Sequence, residues 1–252
     1  LRRKSRVGAL AAALLTLGTA GQARAQNLFN TAIDVQNFKP GLGSQDFLNV
    51  ESPRVAGHLV PYAQLFLGYA NSPLVLGVPG SNELSTPLVR DLSFADLGVG
   101  LALKERFELN LALPVSLTWG RPAQQLDPAL GATLNGYGVG DLRLAPKYLI
   151  HSMNDTLHFG ASMPILFPTG NAKAFRGGGA VVVSPRGLVE FNVASIRLAA
   201  NVGFNLRTAE MQLLNVTVGQ EFAWGVGGEF KLFGEKLNWH GTMDPMLGRS
   251  LQ

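Results

Sequence analysis

The sequence predicts an all-β protein, an up-and-down antiparallel transmembrane β-barrel preceded by a signal peptide. Three observations carry this: apolar residues alternate with polar or small ones at period two, short and long connections alternate between those segments, and the N-terminus is basic and then apolar. Composition agrees with it. The chain is 46% hydrophobic and 15% charged with 30 glycines, yet no apolar run beyond residue 25 reaches the roughly 20 residues a membrane helix needs. A barrel reconciles these facts, because lipid-facing apolar side chains interleave with inward polar ones and no single run looks like a span.

The first element, residues 1–25, reads as the signal peptide. Arg2, Arg3, Lys4 and Arg6 precede an uncharged run from Val7 to Ala20, and Ala23-Arg24-Ala25 offers small residues where signal peptidase cuts. Export to the outer membrane of a Gram-negative cell is the expected localisation. Of 21 basic and 17 acidic residues, five basic ones lie in this segment, leaving 16 against 17. The basic pI therefore belongs to the signal, and a nucleic-acid partner is not expected. The chain has no Cys, so neither disulfides nor thiolate metal sites enter.

Residues 26–57 are rich in Asn, Gln, Pro and Gly and lack periodicity. They form either an irregular periplasmic tail beneath the barrel or a plug within its lumen. The barrel itself is expected over 58–247. His58 to Tyr69 is apolar on both faces, so it is a strand of unassigned sidedness. Leu97 to Leu103 alternates, and Phe107 to Trp119 does so without a break: Leu109, Leu111, Leu113, Val115 and Leu117 oppose Asn110, Ala112, Pro114, Ser116 and Thr118. Alternation returns over 142–150, where Pro146 interrupts it, and over 157–167; it is noisier over 181–193. From Ser195 to Arg207, Leu198, Val202 and Phe204 oppose Arg197, Asn201 and Asn205. From Glu221 to Phe233, Phe222, Trp224 and Phe230 oppose Glu221, Gly225 and Glu229, and a last strand follows over 236–243.

Short turns are expected at Lys104 to Arg106, His151 to Asp155, Asn192 to Ala194 and Gly234-Glu235. Long loops are expected at Ala70 to Asp91, Gly120 to Tyr137, Pro168 to Gly179 and Thr208 to Gly219. Strict alternation of the two kinds is the habit of bacterial barrels, with short turns on the periplasmic side. The count is about nine strands where an even number is usual, so ten to twelve are expected for closure, with residues 248–252 a truncated tail.

Gly138-Val139-Gly140-Asp141-Leu142-Arg143-Leu144, then Lys147-Tyr148 and Phe167-Pro168-Thr169-Gly170, resembles the barrel of the phenol-degradation meta-pathway transporter family. Together with Phe38-Lys39-Pro40 and Asp46-Phe47-Leu48, it also resembles the N-terminal barrel of OmpA-family proteins of the myxobacterial type. The resemblance implies closing strands and a peptidoglycan-binding OmpA-like domain beyond this chain.

The inward-facing charges are the candidate lumen-lining and solute-contact residues: Glu108, Asp141, Arg143, Lys147, Arg197, Arg207, Glu221, Glu229 and Lys231, with Arg186 and Glu190 beside them. Both signs are present, as where lumen charges neutralise one another across strands. Gly138 and Gly140 are expected to admit close backbone or a bulky side chain, and Asp141 to point toward Arg143 or Lys147. Pro168 to Gly179 lacks the GxxxxGK[ST] spacing of a phosphate loop and reads as a mobile external loop.

Four scattered histidines, His58, His151, His158 and His240, have no Ser at a persuasive spacing, and no HExxH or dense His/Asp cluster occurs. His158 and His240 read as lumen filling. No enzymatic activity, cofactor or metal is expected. The expected function is a narrow channel or transporter for small solutes; the alternative is a structural envelope protein whose barrel anchors an OmpA-like domain. The expected partners are outer-membrane lipid, the barrel-assembly machinery and, through such a domain, peptidoglycan.

Overall fold

The computed structural model describes residues 32–77, 85–120, 135–213, 216–232 and 237–243. The expected signal peptide, the tail at 248–252 and the turn at Gly234-Glu235 lie outside the described residues. The chain is all-β, in strands β1 (Pro61–Gly77), β2 (Ser85–Leu103), β3 (Phe107–Gly120), β4 (Gly136–Val139), β5 (Leu142–Met153), β6 (Leu157–Ser162) and β7 (Ile165–Phe167). There follow β8 (Val182–Val183), β9 (Arg186–Val193), β10 (Ile196–Arg207), β11 (Met211–Leu213), β12 (Val216–Val218), β13 (Glu221–Leu232) and β14 (Leu237–Met243).

One antiparallel sheet runs in the order β1-β2-β3-β5-β6-β9-β10-β13-β14, nine strands in chain order. The remaining short strands extend its members. β6 and β7 both pair with β5, and β8 and β9 both pair with β10, so each couple is one wall strand interrupted at Pro164 or Pro185. Proline has no N–H for the ladder, and the wall breaks at these two, whereas β3 and β5 run on through Pro114 and Pro146, the latter against the interruption expected there. The carbonyls remain in use: Ser184 N–H donates to Pro164 O at 2.8 Å and Phe204 N–H to Pro185 O at 3.2 Å. Because β7 also pairs β8, these six segments close a partial ring. Among the described residues, no pairing joins β1 to β14.

The pleat sorts side chains as the alternation requires. Along β3, Glu108, Asn110, Ala112, Pro114, Ser116 and Thr118 are buried, while Leu109, Leu111, Leu117 and Trp119 are exposed. The same holds in β10, where Arg197, Ala199 and Asn201 are buried and Leu198, Val202 and Phe204 exposed. β1 now gains a side: Leu65, Leu67 and Tyr69 are exposed, and Tyr62, Gln64 and Phe66 lie on the opposite, more buried face.

Residues 32–57 lie against the polar face. Within this one segment Gly41 O accepts from Gln64 of β1, Gln36 donates to Asp96 of β2, Ser44 to Glu108 of β3 and Ser52 to Glu190 of β9, while Asp46 takes Lys147 of β5. So short a segment reaches so many strands only if the sheet curls around it. Apolar packing is confined to small clusters: Val35, Leu88, Leu92, Phe94 and Phe175; Leu42 with Ala112 and Ala145; Phe47 with Val50 and Ala199.

Three expectations about connections change. The loop expected from Ala70 to Asp91 is mostly strand, since β1 runs to Gly77 and β2 starts at Ser85. A small hairpin, β11 with β12, occupies the stretch from Thr208 to Gly219. Pro168 to Gly179 is not an external loop. It folds over the polar face through a short 3-10 turn at Ala172–Ala174, burying Phe175 and Arg176.

Candidate functional site

The buried face of the sheet is ionic, and cross-strand register dictates the first contacts. Glu108 of β3 and Lys147 of β5 are paired residues, with Lys147 Nζ 3.1 Å from Glu108 Oε1. Lys147 Nζ also lies 2.8 Å from Asp46 Oδ1. Asp46 accepts N–H bonds from Gly43 at 2.6 Å and Ser52 at 2.9 Å, so its two oxygens fold the segment's turn around the lysine. Burial pushes the Asp46 carboxyl above the ordinary carboxylate value, and the Lys147 charge pulls against that rise. Gly43 packs closely here: a Cβ on it would lie 2.1 Å from Lys147 Nζ and 2.6 Å from Asp46 Oδ1, so those side-chain ends would have to move.

A second cluster sits across the interior. Arg197 of β10 pairs Glu229 of β13 in register, with Nη1 to Oε2 at 2.5 Å, and holds Glu190 of β9 at 3.1 Å. Its Nη2 donates to Gln45 O at 3.0 Å, and its guanidinium stands over the Phe47 ring at 4.8 Å. Ser52 Oγ donates to Glu190 at 2.5 Å. Toward one end, Arg207 pairs Glu221 at 3.2 Å and Arg186 pairs Glu51 at 3.0 Å. Lys147, Arg197, Arg207 and Arg186 thus each keep a carboxylate, the condition under which buried charge is tolerated.

Of the described candidates from the sequence, Glu108, Asp141, Arg143, Lys147, Arg197 and Glu229 are buried on the polar face. The Lys231 and His240 side chains lie outside the described residues. Asp141 departs from expectation. It turns neither to Arg143 nor to Lys147 but accepts N–H bonds from Gly170 at 2.9 Å and Gly178 at 2.7 Å. The glycine-rich loop folds inward over it and supplies backbone donors where the strands supply none. Gly138 and Gly140 act as expected of close approach: a Cβ on Gly138 would meet Arg176 Cδ at 2.9 Å, and one on Gly140 would meet Pro114 Cγ at 2.8 Å.

Several participants had no sequence signal. Asp46, Glu51 and Ser52 lie in an aperiodic stretch, and only the fold brings them to Lys147, Arg186 and Glu190. Arg176 reaches Thr118 Oγ1 and Gly136 O, each at 2.5 Å, and forms an isolated bridge with Asp34. Asp96 was legible, alternating with Leu97, and meets Gln36 at 2.6 Å. A Ser–His contact was missed: register places Ser152 opposite His158, with Oγ and Nδ1 2.8 Å apart. The other ring nitrogen faces Asp155 O at 3.2 Å instead of a carboxylate, so the pair ties down a hairpin end.

Between residues 32–57 and the inner faces of β3, β5, β7, β8, β10 and β13 lies a cavity of about 620 Å³, whose lining includes Lys39, Arg143, Leu166, Arg186 and Arg207. This space, lined by both charged and apolar side chains, and the ion pairs around it are the candidate site. Compared with known proteins, the sequence matches no family model and no curated protein.

Proposed function

We propose that the chain is an outer-membrane β-barrel protein whose outer face meets lipid and whose polar interior serves as a narrow route for small solutes. One observation carries this: the sheet is inverted relative to a water-soluble protein. Leu65, Leu67, Leu97, Val99, Leu198, Val202, Phe204 and Phe222 are among the exposed side chains, while Glu108, Lys147, Glu190 and Arg197 are buried. Soluble monomers seldom expose contiguous apolar patches beyond a few hundred Å². The hydrocarbon core accepts such a surface, and a barrel keeps its backbone hydrogen bonds within itself. Residues 32–57 then act as a plug, and solutes pass through the space it leaves. No catalytic step, cofactor or metal belongs to this reading.

A second reading rests on the same plug. Asp46, Glu51 and Ser52 tie the segment to the wall through Lys147, Arg186 and Glu190, so the interior can also be a closed, structural one. In that case the barrel is an anchor in the envelope, for a cell-wall-binding domain of the kind the sequence resemblance implies. Single-channel recording in planar bilayers separates the two: discrete steps with selectivity between ions support the channel, and a silent, inserted protein supports the anchor. A protein that stays monomeric in water without detergent ends both.

A further inference from the structure

We infer that the cavity holds a small organic monoanion, its carboxylate on Arg143 and its apolar body on Leu166 and Val182. The inference rests on the proposed solute route and names the class of solute. Charge accounting singles out Arg143. Of the acids lining the cavity, Asp34 is held by Lys39, Asp46 by Lys147, Glu51 by Arg186 and Glu221 by Arg207, and Asp141 is held by two backbone N–H groups. Arg143 is buried, with 10% of its side chain accessible, and its nearest carboxylate oxygen, on Asp96, stands 4.0 Å away. Its Nη2, the nitrogen that faces Asp96, is buried without a hydrogen-bond partner, so a ligand carboxylate meets the part of the guanidinium that lines the cavity.

A buried guanidinium without a close partner is costly, and its planar fork matches a carboxylate in bidentate fashion. The ladder supplies the rest of the site. Arg143 of β5 is paired with Leu166 of β7, Leu166 with Val182 of β8, and Val182 with Arg207 of β10. Two apolar side chains thus separate two arginines along one row, a span of roughly 14 Å at the usual strand spacing of about 4.8 Å. Arg207 is already committed to Glu221 and Arg186 to Glu51, so the row offers one anion position beside an apolar floor. The volume falls within the roughly 300–1,000 Å³ of small-molecule sites.

The test uses the full chain folded in detergent micelles and titrated calorimetrically with sodium butyrate, with butanol and with butylammonium chloride. Butyrate is expected to bind saturably and at least tenfold more tightly than either of the others. Arg143→Gln is expected to weaken butyrate at least tenfold, and Arg143→Lys, which keeps the charge but loses the fork, at least threefold. Arg90→Gln, at an exposed position, leaves it unchanged. Equal affinity for butyrate and butanol, or wild-type binding by R143K and by any R143Q that folds, overturns the site. Bilayer recording of the same preparation keeps the two readings apart. Butyrate binding without conductance retains the site and removes the channel, whereas conductance without butyrate binding overturns the site and leaves the channel standing.

Discussion

At the scale of single residues, the interior is organised by ion pairs in which two cations, Lys147 and Arg197, each hold two carboxylates. Lys147 neutralises Glu108 from the neighbouring strand and Asp46 from the segment beneath it. Replacing it with Met leaves two buried carboxylates facing one another, and breaking a buried pair in this way costs about 3–5 kcal/mol. Lys147→Met should therefore lower the unfolding free energy of the micelle-folded protein, read from urea titration, by about that amount. The triple variant K147M/D46N/E108Q, which removes charge from all three positions, should recover most of it. Equal destabilisation of the single and triple variants would show that packing, not charge, is at stake. Gly43→Ala tests the same site by volume, because its Cβ has no room beside Lys147 Nζ. Adjustment of the turn should cost about 1–3 kcal/mol and should be reduced but not abolished in the K147M background, as read from a double-mutant cycle, because Asp46 Oδ1 and Cγ would still stand 2.6 and 2.7 Å from the added Cβ.

At the scale of elements, the strands were legible and the pieces that fill the interior were not. Phe107 to Trp119 and Ser195 to Arg207 alternate so regularly that face and residue could be matched from sequence, and Glu108, Arg197 and Glu229 are buried where the alternation puts them. Period two is a local signal, fixed by the pleat. The Asp46–Lys147 and Ser52–Glu190 contacts span 101 and 138 positions and depend on how residues 32–57 lie against the sheet, which leaves no periodic trace. The inward fold of Pro168 to Gly179 was hidden for a related reason: glycines advertise freedom, and only Asp141 and the Arg176 partners give that freedom a direction. Arg176→Ala should free the loop from Thr118 and Gly136 while leaving the sheet intact. Faster amide exchange confined to residues 169–179 would bear this out, and unchanged exchange there would show that Phe175 and the Asp141 bonds hold the loop without Arg176. Deleting residues 32–57 should increase single-channel conductance if the segment obstructs the route, and an unchanged conductance defeats the plug.

At the scale of the whole molecule, sidedness decides what solvent the protein is built for. Burial of apolar area stabilises by roughly 25 cal/mol per Å², and here the outward rows forgo that gain unless something apolar covers them. The same rows are continuous across neighbouring strands. Val99 pairs Leu111, Val202 pairs Trp224 and Phe204 pairs Phe222, so the exposed residues form bands instead of scattered singles. The opposite face carries ion pairs that are stable only while enclosed. Spin labels placed one at a time at Leu111, Val202 and Trp224 in the lipid-reconstituted protein should be relaxed by oxygen, which concentrates in acyl chains. Labels at Asn110, Asn201 and Gly225 should be shielded from it. Folding must first be verified for the inward labels, because Asn110 and Asn201 are buried, whereas Leu111, Val202 and Trp224 are exposed. If the outward labels are instead relaxed by a water-soluble nickel complex, the apolar bands face water or another protein, and the membrane assignment falls with the solute route that depends on it.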